Sequence, residues 1–131
     1  MSVDSRDVSL AVPARPDSLV LARLALAAVC RLTSLGPTEV ADLKLAVTEA
    51  AGAFVAEDGR ATQPGGDADD ARLDFTFRLD DSRLVLEMAG PPVAARIAAR
   101  IADQELGRAI IQATVDHAEF SADHVVLIKD L

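Results

Sequence analysis

The sequence lacks tryptophan and tyrosine, and it has only four phenylalanines in 131 residues. A hydrophobic core must therefore come from the aliphatic side chains, since half of the residues are hydrophobic. Proteins that bind single-stranded nucleic acid stack bases on aromatic rings, so this scarcity argues against that function. The formal net charge is −8 and there are only two lysines, whereas a phosphate-binding surface needs clustered Lys and Arg. We expect no nucleic-acid partner; the acidic balance suits a basic protein partner or serves solubility alone.

Chemically reactive residues are also few. Cys30 is the only cysteine, which excludes an intrachain disulfide, and its apolar surroundings in the sequence predict a small core residue. The two histidines, His117 and His124, do not form a recognisable metal-binding motif with other residues. The segment Pro64-Gly65-Gly66 is not followed by Lys-Ser/Thr, so it is not a P-loop. We expect no metal.

The sequence has no uninterrupted hydrophobic run of membrane-spanning length, and its first seven residues are mostly polar and contain no hydrophobic stretch. These features predict a cytoplasmic protein with no membrane partner. The length predicts one domain over residues 1–131.

The first half of the chain predicts one strand and two helices. Val8, Leu10 and Val12 alternate with other residues up to Pro13, as in a short strand. A first helix follows, for which helical spacing predicts a core-facing stripe of Leu21, Leu24, Ala28 and Leu32, with Arg23 and Arg31 on another face. After Gly36-Pro37 a second helix is predicted to run to about Glu57, with its core stripe at Val40, Leu43, Val47, Ala50 and Phe54.

The second half predicts a hairpin, further helix and a final strand. Residues 58–71 are rich in Gly, Pro and Asp, which is typical of a flexible, solvated loop. Two alternating stretches around Asp80-Asp81-Ser82 predict an antiparallel hairpin. A helix containing Leu106, Ala109, Ile110 and Ala113 and a strand at Val125–Ile128 follow. The predicted fold is an α/β two-layer sandwich: a mostly antiparallel four-stranded sheet covered on one face by about three helices.

Three segments in this order resemble one protein family. They are Leu10–Ser18 before the first helix, Ala41–Ala50 in the second helix, and Glu105–Asp116 near the end. Together they resemble the RsbW-type anti-sigma factors, the switch-protein serine kinases of the GHKL (Bergerat) ATPase superfamily. The resemblance extends from about Val8 to Leu131, and it implies a GHKL-like fold with a site for ATP and Mg²⁺.

The resemblance also identifies where this chain departs from the family. The second-helix box should read Glu-x-x-x-Asn; Glu49 is present, but Ala53 replaces the magnesium ligand and supplies no oxygen. The Asp-x-Gly box that should bind adenine is occupied by Gly90-Pro91-Pro92, which lacks the carboxylate. The Gly-x-Gly phosphate box is replaced by Glu105-Leu106-Gly107, which adds a negative charge.

With all three boxes altered, these positions are interpreted as vestigial: Glu49, Ala53, Gly90, Pro92, Glu105 and Gly107. No ATP or Mg²⁺ is expected to bind, and no catalytic residue is expected. The segment Val93–Gln104, at the place of the nucleotide lid, contains no glycine and predicts a packed helix instead of a mobile cover. In the family an Arg on the first helix contacts the sigma factor, and Arg23 matches it, with Arg15 close by in the sequence.

The expected function is therefore an anti-sigma factor that sequesters an alternative sigma factor. The resemblance implies that the chain forms a homodimer and is countered by a STAS-type anti-anti-sigma antagonist. Two alternatives stay open at the level of the sequence: an atypical serine kinase that phosphorylates this antagonist, and a ligand-sensing module that uses the vestigial pocket.

Overall fold

The computed structural model describes residues 6–52, 54, 72–90, 101–121 and 123–131, with only the backbone at 101–104. Within these residues the order of elements is β1 (Arg6–Pro13), a 3-10 turn (Pro16–Ser18), α1 (Leu19–Cys30), α2 (Pro37–Gly52), β2 (Arg72–Leu79), β3 (Arg83–Ala89), α3 (Ile101–Thr114), β4 (His117–Phe120) and β5 (His124–Asp130).

The described strands form one antiparallel sheet in the order β1-β2-β3-β5-β4. One face of the sheet is buried, because the apolar residues alternate with polar ones along β2 and β3 as predicted. This face carries Leu73, Phe75, Phe77, Leu79, Leu84, Leu86 and Met88. The α/β class and the predicted hairpin are thus confirmed.

The hairpin turn is organised by one carboxylate. Asp80 Oδ1 accepts hydrogen bonds from the backbone N–H groups of Ser82, at 2.8 Å, and Arg83, at 3.0 Å. These bonds stabilise the ionised carboxylate and lower the pKa of Asp80. The turn predicted at Asp80-Asp81-Ser82 is therefore confirmed, and Asp80 is the residue that holds it.

The predicted number of strands is wrong, since the structure adds β4 at the edge of the sheet. Its residues pair with β5, from His117 opposite Ile128 to Phe120 opposite Val125. The guanidinium of Arg108 lies 4.8 Å from the centre of the Phe120 ring, a cation–π contact that connects α3 to β4. The short strand thus also has a contact with the helix layer.

Helix α1 is rotated relative to the prediction. Its buried residues are Ala22, Leu26, Val29 and Cys30, whereas the predicted core stripe of Leu21, Leu24, Ala28 and Leu32 is exposed. The reason is that α1 has apolar residues on all sides, so hydrophobic spacing alone does not identify the face that packs. Consequently, α1 presents an apolar surface to solvent.

Helix α2 buries the predicted stripe at Leu43, Val47 and Ala50, but the helix ends at Gly52. Phe54 lies in a turn, where its N–H donates to the Ala51 carbonyl at 2.9 Å, so the predicted continuation to Glu57 is wrong at this point. The predicted loop at 58–71 and most of the predicted lid helix lie outside the described residues, although residues 101–104 are helical.

Helix α3 is confirmed, but the residues that it buries differ from those predicted. Gly107 and Ile111 are buried, whereas Leu106, Ala109 and Ala113 are exposed and Ile110 is half-buried. Glycine has no side chain and gives no hydrophobic signal, so the spacing of apolar residues does not reveal that Gly107 faces the core. Helix α3 packs closely against α2.

Candidate functional site

Three of the positions that the sequence predicts to be vestigial, Glu49, Gly90 and Gly107, lie in two contacts. The first joins α2 to α3 through Glu49 and Gly107: a Cβ atom placed on Gly107 would lie 3.2 Å from Glu49 Oε1. Glu49 is half-buried in the last turns of α2, and Gly107 is buried in α3. The structure therefore brings these two predicted residues together.

The second contact surrounds Gly90, the residue that follows β3. Its N–H donates to the carbonyl of Asp123 at 3.1 Å. A Cβ atom on Gly90 would lie 3.0 Å from Phe54 Cδ1 and 3.1 Å from Leu73 Cδ1. Gly90 is thus required for the close approach of two buried side chains. Sequence reasoning placed Phe54 in a core stripe but did not connect it with Gly90.

The third box does not have the form of a phosphate loop. Glu105 and Gly107 lie inside α3, which begins at Ile101. Only the first four N–H groups of a helix lack partners within it, and Gly107 is the seventh residue, so its N–H is used by the helix itself. Glu105 is exposed and carries a carboxylate on the same turn. These residues do not fit a triphosphate.

Ala53 and Pro92, the remaining two vestigial positions, lie outside the described residues. No group of three or more His, Cys, Asp or Glu side chains that could hold a metal occurs in the part of the chain that the structure describes. His117 and His124 lie on different strands, and His124 Nε2 is 3.4 Å from Glu87 Oε1.

Arg23 is fixed against the neighbouring helix. Its Nη1 donates to Thr48 Oγ1 at 3.3 Å, across the contact between α1 and α2. The Thr48 hydroxyl donates its own proton to the Lys44 carbonyl at 2.8 Å, which leaves its oxygen free to accept from Arg23. Arg23 is half-buried, so it lies beside the exposed apolar face of α1 and not at its centre. Thr48 had no role in the sequence analysis, because a threonine inside a helix gives no signal of its own.

Arg15 is exposed and precedes the 3-10 turn, where its carbonyl accepts a hydrogen bond from the Ser18 N–H at 3.0 Å. This backbone bond fixes the path of the chain from β1 into α1. The structure thus places Arg15 at the start and Arg23 in the middle of the same helical segment.

Cys30 is buried at the end of α1, as predicted. Burial raises the pKa of its thiol, and the positive charge of Lys44 opposes this effect only in part. The thiol is therefore protonated near neutral pH and is a poor nucleophile.

Two further findings concern the chain as a whole. Among the described residues, no helix is both long and apolar enough to cross a membrane. The chain matches no protein-family model and no curated protein sequence.

Proposed function

We propose that this protein is an anti-sigma factor with a GHKL-like fold, which binds an alternative sigma factor in the bacterial cytoplasm and does not phosphorylate its antagonist. The proposal is supported by the resemblance of Leu10–Ser18, Ala41–Ala50 and Glu105–Asp116 to the RsbW-type proteins. The second and third segments lie on α2 and α3, which pack against each other, and the first leads from β1 into α1. The second and third segments thus lie on neighbouring helices, and the first leads into α1, which also packs against α2.

The observation that carries the proposal is the position of Gly107 inside α3. A kinase of this type needs free backbone amides to hold the phosphates of ATP, and magnesium to neutralise the charge that develops during transfer. Here the amide of Gly107 lies within a helix, and a packed glycine, Gly90, stands in place of the adenine-binding carboxylate. Binding of a sigma factor does not need these nucleotide-binding groups, so it is the part of the family's function that this arrangement supports.

We place Arg23 at the centre of the sigma-binding surface, with Arg15 beside it. Arginine is enriched among residues that dominate binding energy. The hydrogen bond to Thr48 restricts the Arg23 side chain before any partner binds, so less conformational entropy is lost on binding. The sigma factor would supply a carboxylate or backbone carbonyl groups to this guanidinium. A STAS-type antagonist would release the sigma factor by competing for the same surface.

The experiment is a binding titration of the purified chain against each sigma factor of the source organism. We expect one alternative sigma factor to bind and its transcription with RNA polymerase to be inhibited. Arg23→Glu should weaken this binding by about thirtyfold or more, as expected for a dominant interface residue. Thr48→Val, which removes the hydrogen bond but keeps the charge, should have a smaller effect. If no sigma factor binds, the proposal is wrong.

Arg78→Glu provides the matched charge reversal, because Arg78 is exposed on the sheet face opposite the helices. It should leave sigma binding unchanged; an equal loss for Arg78→Glu and Arg23→Glu would mean that only net charge matters. Calorimetric titration with Mg-ATP tests the proposal that the protein does not phosphorylate its antagonist. No binding is expected at micromolar concentrations, and transfer of labelled phosphate to a serine of the antagonist would overturn it.

A further inference from the structure

A groove of about 300 Å³ lies where the hairpin turn between β2 and β3 meets the loop between α1 and α2. Its walls come from β1, from this loop and from the turn, and they include Arg6, Leu32, Ser34, Leu79 and Asp81. The volume is at the lower end of the range for sites that bind small molecules. The described positions of the predicted nucleotide site do not line the groove, so it is a separate feature of the molecule.

The loop and the turn that form the groove are both held in place by hydrogen bonds. Thr33 Oγ1 donates to the Cys30 carbonyl at 2.6 Å, which fixes the chain directly after α1. On the other side, Asp80 lines the groove and holds the hairpin turn through its Oδ1 atom. The Leu131 N–H donates to the Ser82 carbonyl at 2.9 Å. The groove is therefore formed before any ligand binds, which lowers the entropic cost of binding.

Arg6 places a positive charge on the side of the sheet that faces the helices. It pairs with Leu79, which is buried, and residues directly opposite each other in neighbouring strands point to the same face. Lys129 lies on this face too, and its Nζ is 3.8 Å from Asp116 Oδ2 and 3.9 Å from Glu39 Oε2. Arg6, in contrast, takes part in none of the ion pairs within the described residues. Its guanidinium is therefore available to an anion in the groove.

A negative charge lines the same groove from the hairpin turn. Asp81 is exposed and accepts none of the hydrogen bonds that hold the turn. Asp81 and Arg6 do not form an ion pair with each other. Ser34 adds a hydroxyl group, and Leu32 and Leu79 add apolar surface. Two opposite charges that are not paired, beside apolar side chains, suit a ligand that carries both charges and a short aliphatic chain.

We propose that this groove binds a small zwitterion, an aliphatic α-amino acid, with its carboxylate on Arg6 and its ammonium group on Asp81. A guanidinium donates two parallel hydrogen bonds to a carboxylate, and an ammonium group donates to carboxylate and hydroxyl oxygens such as those of Asp81 and Ser34. The aliphatic side chain of the ligand lies against Leu32 and Leu79. The proposal does not depend on sigma binding, because an amino acid is titrated against the purified chain alone.

The first test is a titration of the isotope-labelled full chain with L-leucine, followed by heteronuclear NMR. We expect saturable shifts of the backbone N–H signals around the groove, at Ser34 and Asp81 among others. The dissociation constant should be about 1 mM or lower, which is reasonable for a ligand of this size on partly solvated charges. The absence of saturable shifts up to about ten times this concentration would overturn the proposal, and so would shifts that lie away from the groove.

Charge-removing variants test the two assigned contacts. Arg6→Gln and Asp81→Asn should each weaken leucine binding by at least about fivefold, because each removes one charge-assisted contact. Arg83→Gln and Asp7→Asn are the matched controls, since both residues are exposed, are close in sequence to the tested pair and do not line the groove. The controls should keep the dissociation constant within about twofold of the original. An equal loss in the controls would mean that only net charge matters, and the proposed site would then be wrong.

Two fragments of leucine separate the roles of the charges. Isocaproate lacks the ammonium group and isoamylamine lacks the carboxylate, so both should bind more weakly than leucine. Binding of isocaproate should respond to Arg6→Gln and not to Asp81→Asn, and binding of isoamylamine should show the reverse. If isocaproate binds as tightly as leucine, the groove is a site for carboxylates alone, and the assignment to a zwitterion is wrong.

Discussion

The carboxylate of Glu49 lies against the backbone of Gly107, so that a Cβ atom on Gly107 would be 3.2 Å from Glu49 Oε1. This contact joins α2 and α3 at two positions that the resemblance assigns to the nucleotide site. Gly107 is buried inside α3, and the described atom that a Cβ there would approach is the end of the Glu49 side chain, not backbone.

We therefore expect Gly107→Ala to be tolerated. Alanine in a helix is favoured over glycine by about 1 kcal/mol, and among the described residues the one close atom is the end of a flexible side chain that can rotate away. The free energy of unfolding should rise by up to ~1 kcal/mol in a urea titration. Gly107→Val should instead lower it by about 1–3 kcal/mol, because a larger side chain displaces Glu49 and separates the helices.

Gly52→Ala is the control for this pair, since a Cβ atom on Gly52 would have no neighbour within 4 Å in the part of the chain that the structure describes. It reports the backbone effect without any packing change. A loss of stability for Gly107→Ala beyond about 1 kcal/mol would show that Glu49 is held rigidly in place.

Gly90→Ala should destabilise the protein, in contrast to Gly107→Ala. Its new methyl group would lie 3.0 Å from Phe54 Cδ1 and 3.1 Å from Leu73 Cδ1, and both side chains are buried and cannot move away freely. We expect a loss of about 1–3 kcal/mol in the free energy of unfolding. Gly36→Ala, whose new methyl group would meet no described atom within 4 Å, should cost much less.

Phe54→Leu supplies a second test of the same contact. The substitution removes ring atoms that lie beside Gly90, so Gly90→Ala should cost less in the Phe54→Leu background than in the original protein. A double-mutant cycle should give a coupling energy of at least about 0.5 kcal/mol. Strict additivity would mean that Gly90 and Phe54 do not interact in this way.

The strands were predictable from the sequence because alternation has a period of two and each hairpin strand has polar residues on one face only. The alternating apolar positions of the hairpin are buried as predicted: Leu73, Phe75, Phe77, Leu79, Leu84, Leu86 and Met88. Helix α1 was not predictable to the same degree. Arg23 is the only charged residue in its twelve positions, so several helix faces are equally apolar. Strand β4 has just four residues, two of them polar, and its pairing with β5 is set by tertiary structure.

The candidate site, like the fold, was predictable from the sequence only in part. The residues Ala53, Gly90 and Glu105 indicate, from the sequence alone, that a nucleotide site would be incomplete, and this stays a prediction. The packing of Glu49 against Gly107 was not predictable, because such a contact depends on the distance between helices that are far apart in the sequence. The partner of Arg23 is another example, since Thr48 is 25 residues away and its hydroxyl is positioned by the Lys44 carbonyl.

Asp80 predicts a specific pH dependence. Its backbone hydrogen bonds lower the pKa below the ordinary value of 3.8. The ionised carboxylate therefore stabilises the folded state above about pH 4, and this contribution is lost as the pH falls through the lowered pKa. Asp80→Ala should lower the melting temperature at pH 7, and the difference from the original protein should shrink as the pH falls below about 4. Asp81→Ala, at the exposed neighbouring position, should show no such convergence.

Cys30 gives a prediction that depends on Lys44. Burial raises the pKa of the thiol above 9.0, and the charge of Lys44 lowers it in part. Only the thiolate reacts with a disulfide reagent, so labelling at pH 8 should be at least about tenfold slower in the folded protein than in urea. Lys44→Ala removes the charge that favours the thiolate and should slow labelling further, whereas Lys129→Ala should not. Because the raised pKa favours the protonated form, this contribution to stability is present below pH 9 and declines at higher pH. In Cys30→Ala the decline in stability at high pH should disappear. If the thiol in Lys44→Ala is labelled faster than in the original protein, Lys44 shields the thiol sterically and does not act through its charge.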